Sequence, residues 1–474
     1  MTIPTKMRIN ATLAALAGLG LRLLFVLRFP ITSAEDTGFY VQLARNWLDH
    51  GVYGVWINGQ LTPIDMRTPG YPAFLAAISV LFGRSTMAVM LAQVVFDLAT
   101  CFLIAALAAR IAPASSRARA AMAALWLTAL CPFTADYTAT ILTETLAIFL
   151  TGVALLALLD ADAGTTNIRE RPSSDSARGA PGSFLRNRWF LAGIVVGIST
   201  LVRPETPLIL IAAVLVLAVR WRRPRDWSKL ARTTILMGVG FILPLLPWAA
   251  RNWRTLHEIQ FLSPRFSTLP GEIAPRGFYA WTKTWMWRFR DVYLVSWKVS
   301  EEPILNEDIP ASAFDSPEQR ERVGDLLAGH NEDLDYTPEM DRAFAELARE
   351  RVARHPMRVR VVMPLLRGLA IWFTPRTELL PLEGHLWPVG EMWENDPRDF
   401  SISLGLFLLN ATYVGMALAG WWVARRRPGV ALLVTFVLVR TAYFMNIETP
   451  EPRYVLECFP VVLAFAAQLW SRAS

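Results

Sequence analysis

Glu35 and Asp36 place two adjacent carboxylates directly behind the first apolar stretch of the chain, in Ala34-Glu35-Asp36-Thr37-Gly38-Phe39-Tyr40. A cation and an aromatic follow in Arg67-Thr68-Pro69-Gly70-Tyr71-Pro72. An ionised carboxylate at the end of a membrane span can take a proton from an acceptor hydroxyl, the general-base role. An arginine beside it suits a phosphate-linked substrate embedded in lipid, because a guanidinium fork matches phosphate oxygens. The same acids would also suit the start of a helix, where negative charge is favourable. The residues alone leave both roles open.

Glu144 is the second candidate acid. Thr140-Ile141-Leu142-Thr143-Glu144-Thr145-Leu146 reads as part of an apolar helix, with Glu144 about 10 Å from its outer end at the usual helical rise. Ionisable groups in such a place usually face a polar cavity, and a structural hydrogen-bonding role is the alternative. Asp97, in Val94-Val95-Phe96-Asp97-Leu98, lies deeper and has no supporting motif, so a structural role is expected. Arg203 and Arg453 join Arg67 at short turns or span ends on one side of the chain. Each has a local competitor. Arg203 can pair with Glu205 in Arg203-Pro204-Glu205, and Arg453 with Glu451 in Glu451-Pro452-Arg453. Either could also snorkel. The convergence of these cations with the acids on one face is the stronger argument.

The elements that must position these residues are membrane spans. The chain is 53% hydrophobic, with apolar residues in blocks long enough to cross a hydrocarbon core. Its net charge of +7 lies largely in short linkers between those blocks, where it orients the chain and does not mark a nucleic-acid surface. Lysine occurs only at 6, 229, 283 and 298, an arginine bias that suits a GC-rich bacterial genome. Cys101, Cys131 and Cys458 are scattered in apolar blocks and read as small buried hydrophobes. His50, His257, His330, His355 and His385 form no HxxxH pair, and neither a phosphate-binding P-loop nor a strand-linked G-x-G-x-x-G is present.

Ten spans are expected, near 9–29, 86–110, 120–134, 137–160, 189–203, 205–221, 233–250, 400–424, 429–446 and 454–470. Arg22 and Arg28 interrupt the first, and no small-residue cleavage site follows, so it reads as a span and not as a signal peptide. Linker arginines fall on one side if both termini are cytoplasmic in a bacterial inner membrane. Tyr71–Phe82 is too short to cross, and Val359–Phe373 is broken by Pro364 and Arg367, so both are expected at the outer interface. This divides the chain into a transmembrane module over 1–250, with a first outer loop at 31–84, a periplasmic or interfacial insertion over 251–399, and C-terminal spans over 400–474. In the insertion, Trp281, Trp285, Trp287, Phe289, Tyr293 and Trp297 suit a membrane–water boundary or sugar stacking. Ser316-Pro317-Glu318 and Thr337-Pro338-Glu339 predict helix starts. Residues 161–188 read as a cytoplasmic linker. No internal repeat is visible, which counts against an inverted-repeat transporter or flippase, the main alternative function.

The sequence resembles the membrane-embedded GT-C glycosyltransferases that use a polyprenyl-phosphate sugar, in particular bacterial members of the protein O-mannosyltransferase and lipid A aminoarabinose transferase superfamily. The resemblance rests on Glu35-Asp36 with Tyr40, Arg67-Thr68-Pro69-Gly70-Tyr71-Pro72, Leu81-Phe82-Gly83, Thr143-Glu144, Leu201-Val202-Arg203-Pro204, Pro247-Trp248-Ala249-Ala250-Arg251-Asn252 and Glu451-Pro452-Arg453-Tyr454. It implies an all-α polytopic fold of about ten transmembrane helices, with interfacial helices and a large periplasmic insertion. It also implies an inverting transfer to a glycan, lipid or protein acceptor, with membrane lipids as surroundings and no nucleic-acid partner. Asp36 would be the catalytic base, Glu35 its helper and Glu144 a second acid. Arg67 would meet the donor phosphate, although the Thr68-Pro69-Gly70 spacing after it is not identical to the relatives' pattern. Arg203 and Arg453 would be further phosphate contacts, and Tyr40, Tyr71 and Tyr454 would line the substrate site. Some relatives bind a divalent metal and others do not.

Overall fold

Backbone polar groups in hydrocarbon must be satisfied within their own segment, so long apolar stretches such as these fold as helices. The computed structural model describes residues 5–32, 35–167, 187–266 and 268–471. In chain order the helices begin with α1 Thr5–Arg28 and α2 Glu35–His50. A hairpin of β1 Gly54–Ile57 and β2 Gln60–Pro63 leads to α3 Gly70–Phe82, α4 Thr86–Ile111, α5 Arg117–Ala129, α6 Pro132–Ala135 and α7 Glu144–Asn167. Next come α8 Arg188–Thr200, α9 Leu208–Arg220, α10 Trp227–Ile242 and α11 Leu246–Leu256. Then follow α12 Arg276–Thr282, α13 Phe289–Asp291, α14 Pro317–Asp333, α15 Pro338–Arg354 and α16 Met363–Trp372. The last four are α17 Val389–Asn395, α18 Pro397–Ala424, α19 Val430–Phe444 and α20 Phe459–Ala466. Two compact units result. The larger comprises residues 1–265, 375–439 and 456–474, and the smaller comprises 266–374 and 440–455. Most of the expected linker over 161–188 lies outside the described residues.

This is a multi-pass membrane protein. Among the described residues, six helical stretches are long and apolar enough to cross a bilayer: Thr5–Arg28, Thr86–Ile111, Glu144–Gly164, Pro224–Leu256, Pro397–Ala424 and Pro452–Ser471. A seventh is a pair, Ala114–Ala129 with Pro132–Ala139, bent by 60°. The bend falls at Pro132, whose ring holds Cys131 in an extended conformation. The other three of the ten expected spans are the short helices α8, α9 and α19. Pro204 and Pro207 interrupt the backbone ladder between α8 and α9, which explains why neither runs on.

Outward-facing side chains invert the pattern of a water-soluble helix. On α1, Leu13, Leu16, Leu24 and Leu27 are exposed while Arg22 is fully buried. The Arg22 guanidinium donates through Nε to Asp97 Oδ2 of α4 at 2.7 Å, and through Nη2 to the carbonyl of Thr128 at 3.2 Å. Its Nη1 donates to the carbonyls of Gly18 and Ala129. One side chain thus pairs a buried acid and caps the end of α5, whose last carbonyls have no helical partner. The structural role expected for Asp97 is what the geometry gives. Helices α8 and α10 pack closely through glycine. A Cβ on Gly193 would sit 2.2 Å from the Met237 carbonyl oxygen, so only glycine allows this crossing.

The smaller unit has its own core. Trp281 and Trp285 are buried there with Phe278, Met286, Val292 and Phe344. This corrects the boundary-or-sugar reading for those two tryptophans: they pack against apolar neighbours of α15. Helices α14 and α15 start where the Ser-Pro-Glu and Thr-Pro-Glu signals predict. Ser316 and Thr337 accept hydrogen bonds from the Gln319 and Met340 amides, and each is followed by proline at the first helical position.

Candidate active site

The site in the larger unit is built where irregular backbone from distant parts of the chain meets the start of α2. The Ile31 amide donates to the Ala139 carbonyl at 2.9 Å, and Thr37 Oγ1 donates to the Ile141 carbonyl at 3.1 Å. These bonds tie the chain on either side of Asp36 to the strand-like stretch before α7. The Gly70 amide donates to the Leu201 carbonyl at 2.6 Å, and a Cβ at this glycine would lie 2.5 Å from that oxygen. Glycine at 70 is therefore what lets the Arg67-Thr68-Pro69 turn close onto the α8–α9 turn. A third brace is Arg251, which donates to the carbonyl of Ile64 at 2.8 Å and to that of Tyr53. It also lies over the rings of Tyr53 and Trp248. The Tyr53 hydroxyl in turn donates to the Arg67 carbonyl at 2.9 Å.

Within that frame Asp36 stands in the first turn of α2 and accepts from Arg67 Nη2 at 3.0 Å, each side chain 28% exposed. Helix-start placement and an ionic partner coexist in one residue, so the two roles left open by the sequence do not compete. The Arg67 guanidinium also lies over the Phe39 ring at 5.5 Å. The side chain of Glu35 lies outside the described residues.

Tyr40 packs edge-on against Tyr71, with ring centroids 5.1 Å apart. Burial pushes its phenol up to about 12, and the charges of Arg67, Asp36, Glu144 and Arg203 act on it. The hydroxyl therefore stays protonated at neutral pH and serves as a donor. Tyr40 packs on a cluster that includes Tyr71, Ile141 and Val202, close in sequence to Arg67, Glu144 and Arg203. Tyr71 donates to Gln93 Oε1 at 2.8 Å, and Gln93 Nε2 donates to the Thr140 carbonyl at 2.7 Å. Through Gln93 the floor of the site is bonded to the stretch preceding α7.

Glu144 is the first residue of α7, not a residue one turn or more inside a helix. Residues 140–143 are non-helical, and Thr140 forms a parallel bridge with Ile31. The backbone here is drawn to distant partners, the Ala139 carbonyl to the Ile31 amide and the Thr138 and Thr140 carbonyls to Gln93 Nε2, so the helix begins later than its apolar composition suggests. Glu144 is buried and accepts from Arg203 Nη1 at 2.9 Å. Arg203 Nε donates to Glu205 at 2.8 Å, as its local sequence suggests, and also faces Glu457 at 3.3 Å. Glu457 had no place in the sequence reading. The usable signal was an acid within the last apolar block, where a charge is costly without a partner.

No protein-family model matches the sequence, and no curated protein matches it by sequence. Solved structures do match by fold. AglB, the oligosaccharyltransferase of Archaeoglobus fulgidus, solved with an inhibitory peptide and a dolichol-phosphate, aligns with TM-score 0.50 at 14% identity. The alignment covers 98% of this chain and 50% of that one, so the chain spans about half the archaeal protein's length. ArnT from Cupriavidus metallidurans bound to undecaprenyl phosphate aligns with TM-score 0.37 at 13% identity, over 97% of this chain and 76% of that one. The arabinosyltransferase EmbB from Mycobacterium smegmatis aligns with TM-score 0.37 at 15% identity, over 99% of this chain and 42% of that one. The chain has a GT-C fold.

In this fold the larger unit holds Asp36, Tyr40, Arg67, Tyr71, Glu144 and Arg203. Arg453 and Tyr454 belong to the smaller unit. There Arg453 pairs with Glu451, the Tyr454 hydroxyl donates to the same carboxylate, and the Tyr454 ring stacks on Phe444 at 4.6 Å. Among the described residues no group of three or more His, Cys, Asp or Glu side chains could hold a metal ion.

Proposed function

We propose that this protein transfers a sugar from a polyprenyl-phosphate donor to an acceptor hydroxyl at the outer face of a bacterial inner membrane, with inversion at the anomeric carbon. The carrying observation is the partly exposed Asp36–Arg67 pair, set in a GT-C fold with the buried Glu144–Arg203 pair in the same unit. A pair this open can be parted by a substrate. The acceptor oxygen would give its proton to Asp36 as it attacks the anomeric carbon, and the bond from that carbon to the lipid phosphate would break. Arg67, exchanging Asp36 for phosphate oxygens, would stabilise the charge left on the departing lipid phosphate. The archaeal structure holds a dolichol-phosphate, a lipid phosphate of the same chemical class.

The same reading sets both termini in the cytoplasm and residues 251–399 outside. An externally accessible reporter fused to the C-terminus would reverse that orientation. The reaction is tested with purified protein in nanodiscs against a panel of polyprenyl-phosphate sugars and acceptors, with Mg²⁺, Mn²⁺ or EDTA. Lipid phosphate released together with glycosylated acceptor supports the proposal. Transport of an intact lipid-linked sugar without bond cleavage would replace it with a flippase.

A further inference from the structure

Arg203 is held in an unusual way for a structural ion pair. One guanidinium faces three carboxylates, contributed by α7 (Glu144), by its own turn (Glu205) and by the segment entering α20 (Glu457). Glu144 and Glu457 are both almost completely buried. Glu457 is itself oriented: its second oxygen accepts from Thr151 Oγ1 at 3.2 Å. Thr151 lies seven residues after Glu144, two helical turns along, and hence on the same face of α7. That face therefore holds Arg203 twice, directly through Glu144 and indirectly through Thr151 and Glu457.

Burying charge is costly, and an ion pair needs only one acid per arginine. One carboxylate is enough to balance a guanidinium, so the further acids that meet Arg203 also fix how it points. What the arrangement achieves is orientation. Nε is shared by Glu205 and Glu457 while Nη1 points to Glu144, which fixes the guanidinium plane from three separate chain segments. Support of this kind keeps a functional group in productive geometry. We infer that Glu457 is a positioning residue that, oriented by Thr151, sets the guanidinium of Arg203 for the donor. This rests on the transfer reading of the site.

Two variants test it, Glu457→Gln, which keeps the shape and removes the charge, and Thr151→Val, which keeps the charge and removes its tether. Turnover, acceptor KM, thermal unfolding and the labelling rate of Arg203 by phenylglyoxal, read by mass spectrometry, are measured on full-length protein in nanodiscs. Expected for Glu457→Gln are an approximately tenfold loss of turnover, unchanged acceptor KM, several-fold faster labelling of Arg203, and an unfolding temperature no lower than wild type. Thr151→Val should move turnover and labelling the same way, by about threefold. A lower unfolding temperature with unchanged labelling would make Glu457 merely structural and overturn the inference, as would unchanged turnover in both variants of an active enzyme. If wild type turns over no donor in the panel while labelling still responds, the transfer reading fails and the cage around Arg203 stands.

Discussion

Two acid–arginine pairs in this protein, Arg22–Asp97 and Asp36–Arg67, have the same chemistry and opposite surroundings. The first is sealed inside the helix bundle, and its guanidinium also serves three backbone carbonyls. The second is 28% exposed on both sides and stands at a helix start beside non-helical backbone. Residue type distinguishes neither pair. What differs is exposure, and with it whether water or a substrate can reach the pair and replace its partners. A sealed pair holds helices together, and an open one is available for exchange.

The comparison is tested most harshly at the sealed pair. Asp97→Ala leaves a buried arginine without its counter-charge, and breaking such a pair costs about 3–5 kcal/mol. We expect loss of monodisperse protein on size exclusion or a large fall in unfolding temperature. A folded, fully stable variant would show that burial does not separate the two pairs. A third acid sharpens the point. Burial pushes Asp291 of the smaller unit up to about 6, with Arg288 and Arg290 pulling the other way. An acid whose folded pKa is raised contributes stability that is fully present below its unfolded pKa and lost as pH rises through the folded value. Over the interval from 3.8 to about 6 this amounts to roughly 3 kcal/mol. Asp291→Asn should therefore stabilise the protein at pH 7.5 by up to that order and do nothing at pH 4, a difference read from unfolding temperatures at the two pH values. Equal effects at both would mean the carboxylate is solvated. The smallest effect is expected at an exposed helix start, where Thr337→Ala removes one capping bond and should cost about 1 kcal/mol. A loss of several kcal/mol there would mean that α15 depends on its cap and not on core packing.

Local rules explain what the sequence made legible. The Ser-Pro-Glu and Thr-Pro-Glu starts, the arginines beside Glu205 and Glu451, and the apolar blocks all depend on near neighbours, and the structure shows them in place. Less visible were features decided by distant backbone. Glu144 begins its helix because Ile31 pairs with Thr140, a contact that no window around Glu144 contains. Two expected spans, α8 and α9, are short helices because Pro204 and Pro207 break the ladder between them whatever the apolar composition. Trp281 and Trp285 were read by type, whereas their role is set by α15 packing over them. Glu457 and Gln93 escaped for the same reason: each is a lone polar residue whose partners lie far away in sequence.

Asp36→Asn is the most direct test of the central claim that the open pair does the chemistry. It keeps the shape and a hydrogen-bonding oxygen but removes the base, and general-base loss of this kind typically lowers rates by about 10²–10⁴-fold. The measurement is release of polyprenyl phosphate and glycosylation of acceptor by wild type and variant in nanodiscs, with matched elution and unfolding profiles. The account predicts a folded variant with turnover reduced at least about a hundredfold. A folded variant that turns over like wild type would contradict it and leave Asp36 as a helix-start residue alone.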